Sequence, residues 1–270
     1  MQKRVLVTGA ASGLGRAIAL RWAASGADIC VADIHQERGE AVVAELEKLG
    51  AKAFFQRCDI TSQADIEATK DAITDQFGGL DLVVNNAGVA TAGALAEESI
   101  EQWQWVMDIN VFGAVRMLQS VVPLLQESRG YILNVASQAG VTTVPLLGSY
   151  AASKAAMVSF SETMRLELAD EHIGVSVLCP GFFKTNLDES VRSGNPAMKA
   201  VVTKLLERSD ITADDVADAA FRAVQKQQFM ILTHPEGRKA SLLKRLFPGY
   251  YLKMMTKGTQ KFRRSVRKTS

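Results

Sequence analysis

A phenol and an ammonium group stand four residues apart in Ser149-Tyr150-Ala151-Ala152-Ser153-Lys154, with Ser137 thirteen residues upstream of the tyrosine. On a helix, positions i and i+4 share a face, so Tyr150 and Lys154 would lie side by side. A phenol with an ordinary pKa near ~10 is a poor base at neutral pH, but a neighbouring cation favours the phenolate, a tenfold gain in that ionisation being worth about 1.4 kcal/mol. The pairing suggests that Tyr150 is an acid/base, with Lys154 lowering its pKa. The same spacing also describes ordinary surface pairs, and alone it does not separate the two readings.

Other chemistries are poorly served. His35, His172 and His234 are scattered, as are Cys30, Cys58 and Cys179. No metal-finger spacing or His-centred triad follows from them, so no metal is expected. Three isolated thiols cannot pair completely and are read as buried and reduced. Cys179 has no nearby histidine and is read as inert.

The elements that must position Tyr150 follow a βαβ rhythm. Strands are predicted at Val5 to Thr8, Asp28 to Ala32, Ala53 to Arg57, Leu82 to Val84, Tyr131 to Val135, Val175 to Leu178 and Phe229 to Leu232. Helical segments lie between them, two starting near Gly13 and Gln36. Runs such as Leu82-Val83-Val84 lack polar alternation, which suits strands covered on both faces. The expected architecture is α/β: a doubly wound Rossmann-type sandwich with seven parallel strands and a basic C-terminal extension. A helix over Ala64 to Phe77 is bracketed by Thr61-Ser62, a capping pair, and by Gly78-Gly79, which permits a left-handed stop. From Phe182 to Ser209 the rhythm breaks around the turn signal Gly194-Asn195-Pro196, and a long insertion after a strand usually serves a site.

Thr8-Gly9-Ala10-Ala11-Ser12-Gly13-Leu14-Gly15 follows the first strand and opens the first helix. Bare backbone and helix N-terminal amides there can approach a pyrophosphate, which predicts dinucleotide binding through Gly9, Ser12, Gly13, Leu14 and Gly15. Asp33, at the end of the second strand, could accept hydrogen bonds from an adenosine ribose and repel a 2′-phosphate, favouring NAD over NADP. Asp33 could instead cap the next helix, and Arg16 or Arg38 could reach a phosphate.

Taken together these motifs resemble the short-chain dehydrogenase/reductase family, in its form of about 250 residues, from Val5 to Leu232. The resemblance rests on Thr8-Gly-x-x-x-Gly-x-Gly, Asp59, Asn85-Asn86-Ala87-Gly88, Asn110, Ser137, Tyr150-x-x-x-Lys154 and Pro180-Gly181. It implies that Tyr150 exchanges a proton with the substrate oxygen, Ser137 hydrogen-bonds that oxygen, Lys154 binds the nicotinamide ribose, and Asn110 completes a relay. It also implies that Asp59 and Ile60 lie beside adenine, that Asn86, Ala87 and Gly88 lie under the cofactor, and that Pro180, Gly181 and Thr185 lie near the carboxamide. Read alone, Ser137 could be a turn hydroxyl, Asn110 a satisfied polar residue within a helix, and the Asp59 and Asn86 segments turn chemistry.

Val141 to Leu147 sits between Ser137 and Tyr150, and Phe182, Phe183 and Leu187 follow Pro180-Gly181. Val144, Leu146, Phe182 and Leu187 are the candidate apolar lining for a hydrophobic alcohol or ketone of steroid, retinoid or fatty-chain type. Loop residues packing on one another would leave the same pattern. A 3-oxoacyl-thioester reductase is the competing enzyme, and a nucleotide-sensing module the non-enzyme alternative. The family resemblance permits a homodimer or homotetramer.

The 270 residues and 47% hydrophobic content suit one large core, read as a domain over 1–237 with a tail over 238–270. The tail holds 11 of the 31 Lys and Arg and none of the 29 acidic residues, so a net charge of +2 conceals a strongly cationic end. Leu242, Leu243, Leu246 and Phe247 recur at helical spacing within Lys239 to Phe247. Such a tail could lie on an anionic bilayer as a peripheral contact, pack on its own body or a second subunit, or meet nucleic acid, the least favoured partner. With no stretch of 18 apolar residues and no signal-like start, the expected location is cytoplasmic.

Overall fold

Apolar runs that can be covered on both faces form the centre of the molecule. The computed structural model describes residues 3–185, 191–193, 203–204, 209–260 and 263. Its strands are β1 (Arg4–Thr8), β2 (Asp28–Asp33), β3 (Ala53–Arg57), β4 (Leu82–Asn85), β5 (Tyr131–Val135), β6 (Gly174–Cys179) and β7 (Met230–Leu232). They form one sheet in the order β3-β2-β1-β4-β5-β6-β7, every pair parallel. The predicted strands coincide with these to within a residue at each end. The order reverses between β1 and β4, so the loops leaving their C-terminal ends part and open a crevice.

Alternation along each strand divides the core. Val5 and Val7 face one apolar cluster and Leu6 the other, as Leu82 and Val84 do against Val83. The first cluster is closed by α1 (Gly13–Ala23), α2 (Gln36–Lys48) and α8 (Ala213–Gln225). The second is closed by α3 (Gln63–Phe77), α5 (Gly113–Ser128) and α7 (Gly148–Glu167). Local signals end α3 as the sequence suggests: the Ser62 hydroxyl accepts from the Asp65 amide, and Gly78 stops the helix at φ +71°. The remaining helices are α4 (Ile100–Met107), the short α6 (Gln138–Val141), α9 (Pro235–Leu246) and α10 (Pro248–Gly258). A π-helical turn, Asp108–Phe112, joins α4 to α5.

The expected boundary after residue 237 falls inside α9. Tyr251 of α10 is fully buried, and Lys244 of α9 donates to the Val141 carbonyl at 2.7 Å. The described part of the tail is therefore packed on the body. The Gly194-Asn195-Pro196 turn lies outside the described residues, as does most of the chain beyond Gln260.

Trp22 fixes α1 to α8. It is buried with its ring edge-on to Phe221 at 5.1 Å, while the Arg21 guanidinium covers the Phe221 ring at 3.6 Å and bonds Asp218 at 2.9 Å. Trp22→Ala should cost about 3–5 kcal/mol through lost burial and the cavity left behind. Denaturant unfolding of the two proteins measures this directly.

Candidate active site

The crevice above β1 and β4 begins with a clasp. The Thr8 hydroxyl accepts from the amides of Asn86 and Ala87, both at 3.0 Å, and donates to the Val84 carbonyl at 3.3 Å. The Asn86 side chain returns bonds to the carbonyls of Thr8, at 2.9 Å, and Gly9, at 3.1 Å. The exits of the two strands are thereby held together. A Cβ on Gly9, where φ is +64°, would stand 2.9 Å from Ala87 Cα, and one on Gly15 would stand 2.1 Å from the Gly9 carbonyl oxygen. Only glycine lets the turn cross and the helix close upon it.

A cavity of about 520 Å³ opens over this clasp. It is lined by Gly9, Ser12, Gly13, Leu14, Asp33, Asp59, Ile60, Asn86, Ala87, Gly88, Tyr150, Lys154, Pro180 and Thr185. Of the expected dinucleotide-binding residues, Gly15 does not line it and serves the packing of α1 against the turn. Gly181 lies instead on a second cavity. Ile34, His35, Arg38, Cys58, Val89, Ile109 and Phe183 also line the first and had no sequence motif of their own.

Asp33 is buried, one oxygen accepting from the Ala11 amide and the other from the His35 amide, both at 3.0 Å. The residue at the N-cap of α2 is His35, so Asp33 does not cap that helix. Arg16 pairs with Glu45, whereas Arg38 reaches the cavity wall. Asp59 binds the Thr61 amide and hydroxyl at 2.9 and 2.7 Å while also lining the cavity, so turn and wall coexist there.

Tyr150 and Lys154 share the inner face of α7, both buried. The Lys154 ammonium donates to the Val135 carbonyl at 3.0 Å and stands 5.9 Å from the centre of the Tyr150 ring. The expected depression of the phenol is not found. Burial pushes Tyr150 above its ordinary value, a hydrogen bond with Ser137 offsetting part of this, and burial brings Lys154 down to about 8. Where both groups are cut off from water, the cost of desolvating a charge outweighs the attraction that spacing alone suggests. Burial likewise pushes Cys179 up to about 12, leaving an unreactive thiol.

Ser137 opens α6, its hydroxyl accepting from the Ala139 amide at 3.1 Å. Asn110 sits on the π-helical turn and is fully engaged: its oxygen accepts from the Val89 amide at 2.8 Å, and its nitrogen donates to the Val89 carbonyl at 3.0 Å and the Ser153 hydroxyl at 2.9 Å. It does not touch Lys154 directly. A Cβ added to Gly88 would fall 3.1 Å from the Asn110 oxygen and 3.2 Å from the lysine nitrogen, which measures how closely the three converge.

The second cavity, about 340 Å³, adjoins the first. Ala90, Ala139, Val144, Leu147, Phe182 and Phe183 give it apolar walls, and Ser137, Tyr150, Thr185, His234 and Glu236 are among its polar groups. Tyr150, Pro180, Phe183 and Thr185 line both cavities. Leu147 takes the place expected of Leu146, which packs beside the cavity without lining it, and Leu187 lies outside the described residues. His234 was not foreseen as a site residue. Its Nδ1 accepts from the Gly181 amide at 3.1 Å and its Nε2 faces the Phe182 carbonyl at 2.9 Å. Its position just after the last strand was the available signal, because site residues gather at the C-terminal ends of parallel strands.

A nucleotide cradle at the switch point, meeting an apolar chamber at a tyrosine, defines a dinucleotide-dependent oxidoreductase of the doubly wound class. A family profile described as short chain dehydrogenase matches residues 3–196. A 3beta-hydroxysteroid dehydrogenase from Mediterraneibacter gnavus is 37% identical over 189 residues, 70% of this chain and 68% of that protein. Among solved structures, a short chain dehydrogenase/reductase from Burkholderia phymatum in complex with NAD superposes with a TM-score of 0.86 at 32% identity, covering 90% of this chain and 93% of that one. An alcohol dehydrogenase from Thermococcus sibiricus complexed with 5-hydroxy-NADP gives 0.75 at 25% identity, covering 86% and 96%. The chain belongs to the short-chain dehydrogenase/reductase family and is a nicotinamide-dependent oxidoreductase of CH–OH groups.

The buried lysine has a measurable consequence. Folding lowers its pKa from 10.5 to about 8, so below 8 the fold bears an unfavourable buried charge, and between these values the unfolded chain holds a proton that the folded one does not. Stability contributed at this position therefore rises with pH across that window. Relative to Lys154→Met, the parent protein should gain up to about 3 kcal/mol between pH 8 and 10.5. Parallel denaturant titrations should show the two midpoints converging or crossing as pH rises; a constant difference would contradict the assignment.

Proposed function

We propose that this enzyme interconverts an apolar secondary alcohol and its ketone, with NAD as the preferred hydride acceptor. The observation that carries the reading is the position of Tyr150 on the wall shared by the nucleotide cavity and the apolar chamber. The residues present fit the dinucleotide: without a Cβ on Gly9 or Gly15 the turn crosses Ala87 and α1 closes upon it, which places bare backbone at the cavity floor. Amides from Ser12 to Leu14 at the start of α1 hold the pyrophosphate. Asp33 accepts from the adenosine ribose and disfavours a 2′-phosphate, while Asp59 and Ile60 flank adenine. Asn86, Ala87 and Gly88 line the path to Lys154, which takes the nicotinamide ribose, and Thr185 meets the carboxamide beside Pro180 and Gly181. When bound, the nicotinamide accepts hydride from the alcohol carbon or returns it to the ketone.

The protein's own groups handle the oxygen. As the alcohol oxygen loses its proton, Tyr150 receives it; in the reverse direction the phenol donates it. The Ser137 hydroxyl, bonded to the Ala139 amide through its oxygen, retains a proton to donate to the reacting oxygen and steadies its charge. Asn110 is a positioning residue: its bonds to Val89 and Ser153 fix the floor beneath Tyr150 and Lys154. Val144, Leu147, Phe182 and Phe183 give the chamber an apolar character suited to a ring system or chain. The hydroxysteroid relative, named for an apolar secondary alcohol, supports the same substrate class.

Tyr150→Phe should lower kcat by about 10²- to 10⁴-fold without unfolding the protein. Because burial raises the phenol, its basic form accumulates only at alkaline pH, so alcohol oxidation should accelerate as pH rises and ketone reduction should persist through neutrality. An assay in both directions across pH checks the sign.

Substrate and cofactor are tested together with NAD and NADP against alcohols graded in chain length and ring number. Turnover should rise with apolar size, and Asp33→Ala should erode the NAD preference by at least about tenfold in kcat/KM. Activity restricted to small polyols would refute the substrate class, and an unchanged cofactor ratio would refute the role given to Asp33.

A further inference from the structure

The C-terminal helices show apolar side chains to solvent on the face opposite their packed one. Along α9, Gly237 and Lys244 turn inward, Lys244 tying the helix to Val141. Leu242 and Leu246, one turn apart, point outward and are each 58% exposed. Phe247 at the corner is 60% exposed, and on α10 Tyr250 is 63% exposed with Met254 one turn further, while Tyr251 is fully buried. The buried tyrosine anchors the pair of helices; the outward face is left without a partner among the described residues.

Cations flank that face. Lys239 and Arg245 border Leu242 and Leu246, and Lys253 and Lys257 border Tyr250 and Met254, all four exposed. No Asp or Glu occurs anywhere from 238 to 270, against 11 Lys and Arg. Apolar side chains ringed by unopposed cations complement a surface that is greasy below and anionic above, which is an acidic phospholipid bilayer. A nucleic acid would satisfy the charge but offers little to bury Leu242, Leu246 and Met254. No helix among the described residues is long and apolar enough to cross a membrane.

We propose that α9 and α10 form a docking surface for an anionic bilayer, a property beyond the reaction proposed above and independent of which alcohol the enzyme takes. The helix that carries the surface begins at the apolar chamber, which His234 and Glu236 line.

The full-length protein is sedimented with vesicles of phosphatidylcholine alone and of phosphatidylcholine mixed with phosphatidylserine. It should partition onto the mixed vesicles, less so at high salt. The combined variant Lys239→Glu, Arg245→Glu, Lys253→Glu, Lys257→Glu should lose about fivefold in partition for each cation removed. Phe247→Ser with Tyr250→Ser should lose at least about tenfold through apolar burial. Oxidation of a short water-soluble alcohol at the parental rate by both variants would show that the fold and active site are intact. Absence of sedimentation, or equal sedimentation of parent and both variants, would overturn the proposal. So would a parent protein whose self-association is abolished by the Phe247 and Tyr250 changes while vesicles bind neither form, which would assign the face to a second copy. Tight binding to a short DNA duplex, unaffected by those two changes and without vesicle binding, would overturn it too.

Discussion

Burial keeps both halves of the Tyr150 and Lys154 pair reluctant to carry charge, and much of the site is arranged around that constraint. An ammonium group removed from water needs acceptors, and the structure supplies the Val135 carbonyl at the end of β5. That bond turns the lysine toward the sheet and the nucleotide cavity, its nitrogen 5.9 Å from the centre of the Tyr150 ring. A phenol removed from water resists ionisation, and the Ser137 hydroxyl is the group that relieves it in part. Proton transfer at such a site is governed by what enters to solvate the charge. In the function proposed above, the ribose hydroxyls given to Lys154 and the substrate oxygen given to Tyr150 are groups of that kind.

Holding these side chains requires rigid support from elements far apart in sequence. β1 and β4 are clasped by Thr8 and Asn86, so the cradle and the floor of the cavity move as one. The floor is joined to α7 by Asn110, which bonds Val89 on one side and Ser153 on the other. A regular α-helix running from α4 into α5 would carry Asn110 at a different rotation; the π-helical turn widens the helix locally and brings its amide into reach. Such turns are rare and concentrate at functional sites because they trade regular bonding for one well-placed side chain. Deeper still, Asn134 donates to the Ser161 hydroxyl of α7 and accepts from Asn85 of β4, tying helix and sheet through buried polar contacts.

The strands were legible because parallel sheets demand apolar runs on both faces, and the glycines because a turn crossing Asn86 and Ala87 has no room for a Cβ. Asp33, Asp59 and the Asn85 to Gly88 segment were legible as motifs, with turn chemistry an open reading for the last two; each makes local turn or clasp bonds as well as lining the cavity. What sequence spacing could not convey was desolvation. Four residues on a helix bring two groups together whether the helix is wet or buried, and only the packing of α7 against the sheet decides which way the pKa of Tyr150 moves. Leu147 displaced Leu146 for a related reason. The backbone turns through φ +67° at Leu146, which directs the following residue toward the chamber, and a non-glycine left-handed residue leaves no signature in an apolar run.

His234 shows how the end of the chain is drawn into the site. A backbone amide can only donate, so the Gly181 amide requires an unprotonated Nδ1, and Nε2 then carries the proton that meets the Phe182 carbonyl. The imidazole thus staples the segment after β6 to the segment after β7. Pro180, Phe183 and Thr185, which line both cavities, belong to the stapled segment, and α9 begins one residue beyond the histidine. The imidazole therefore joins the start of the C-terminal helices to the segment that walls both cavities beside Tyr150.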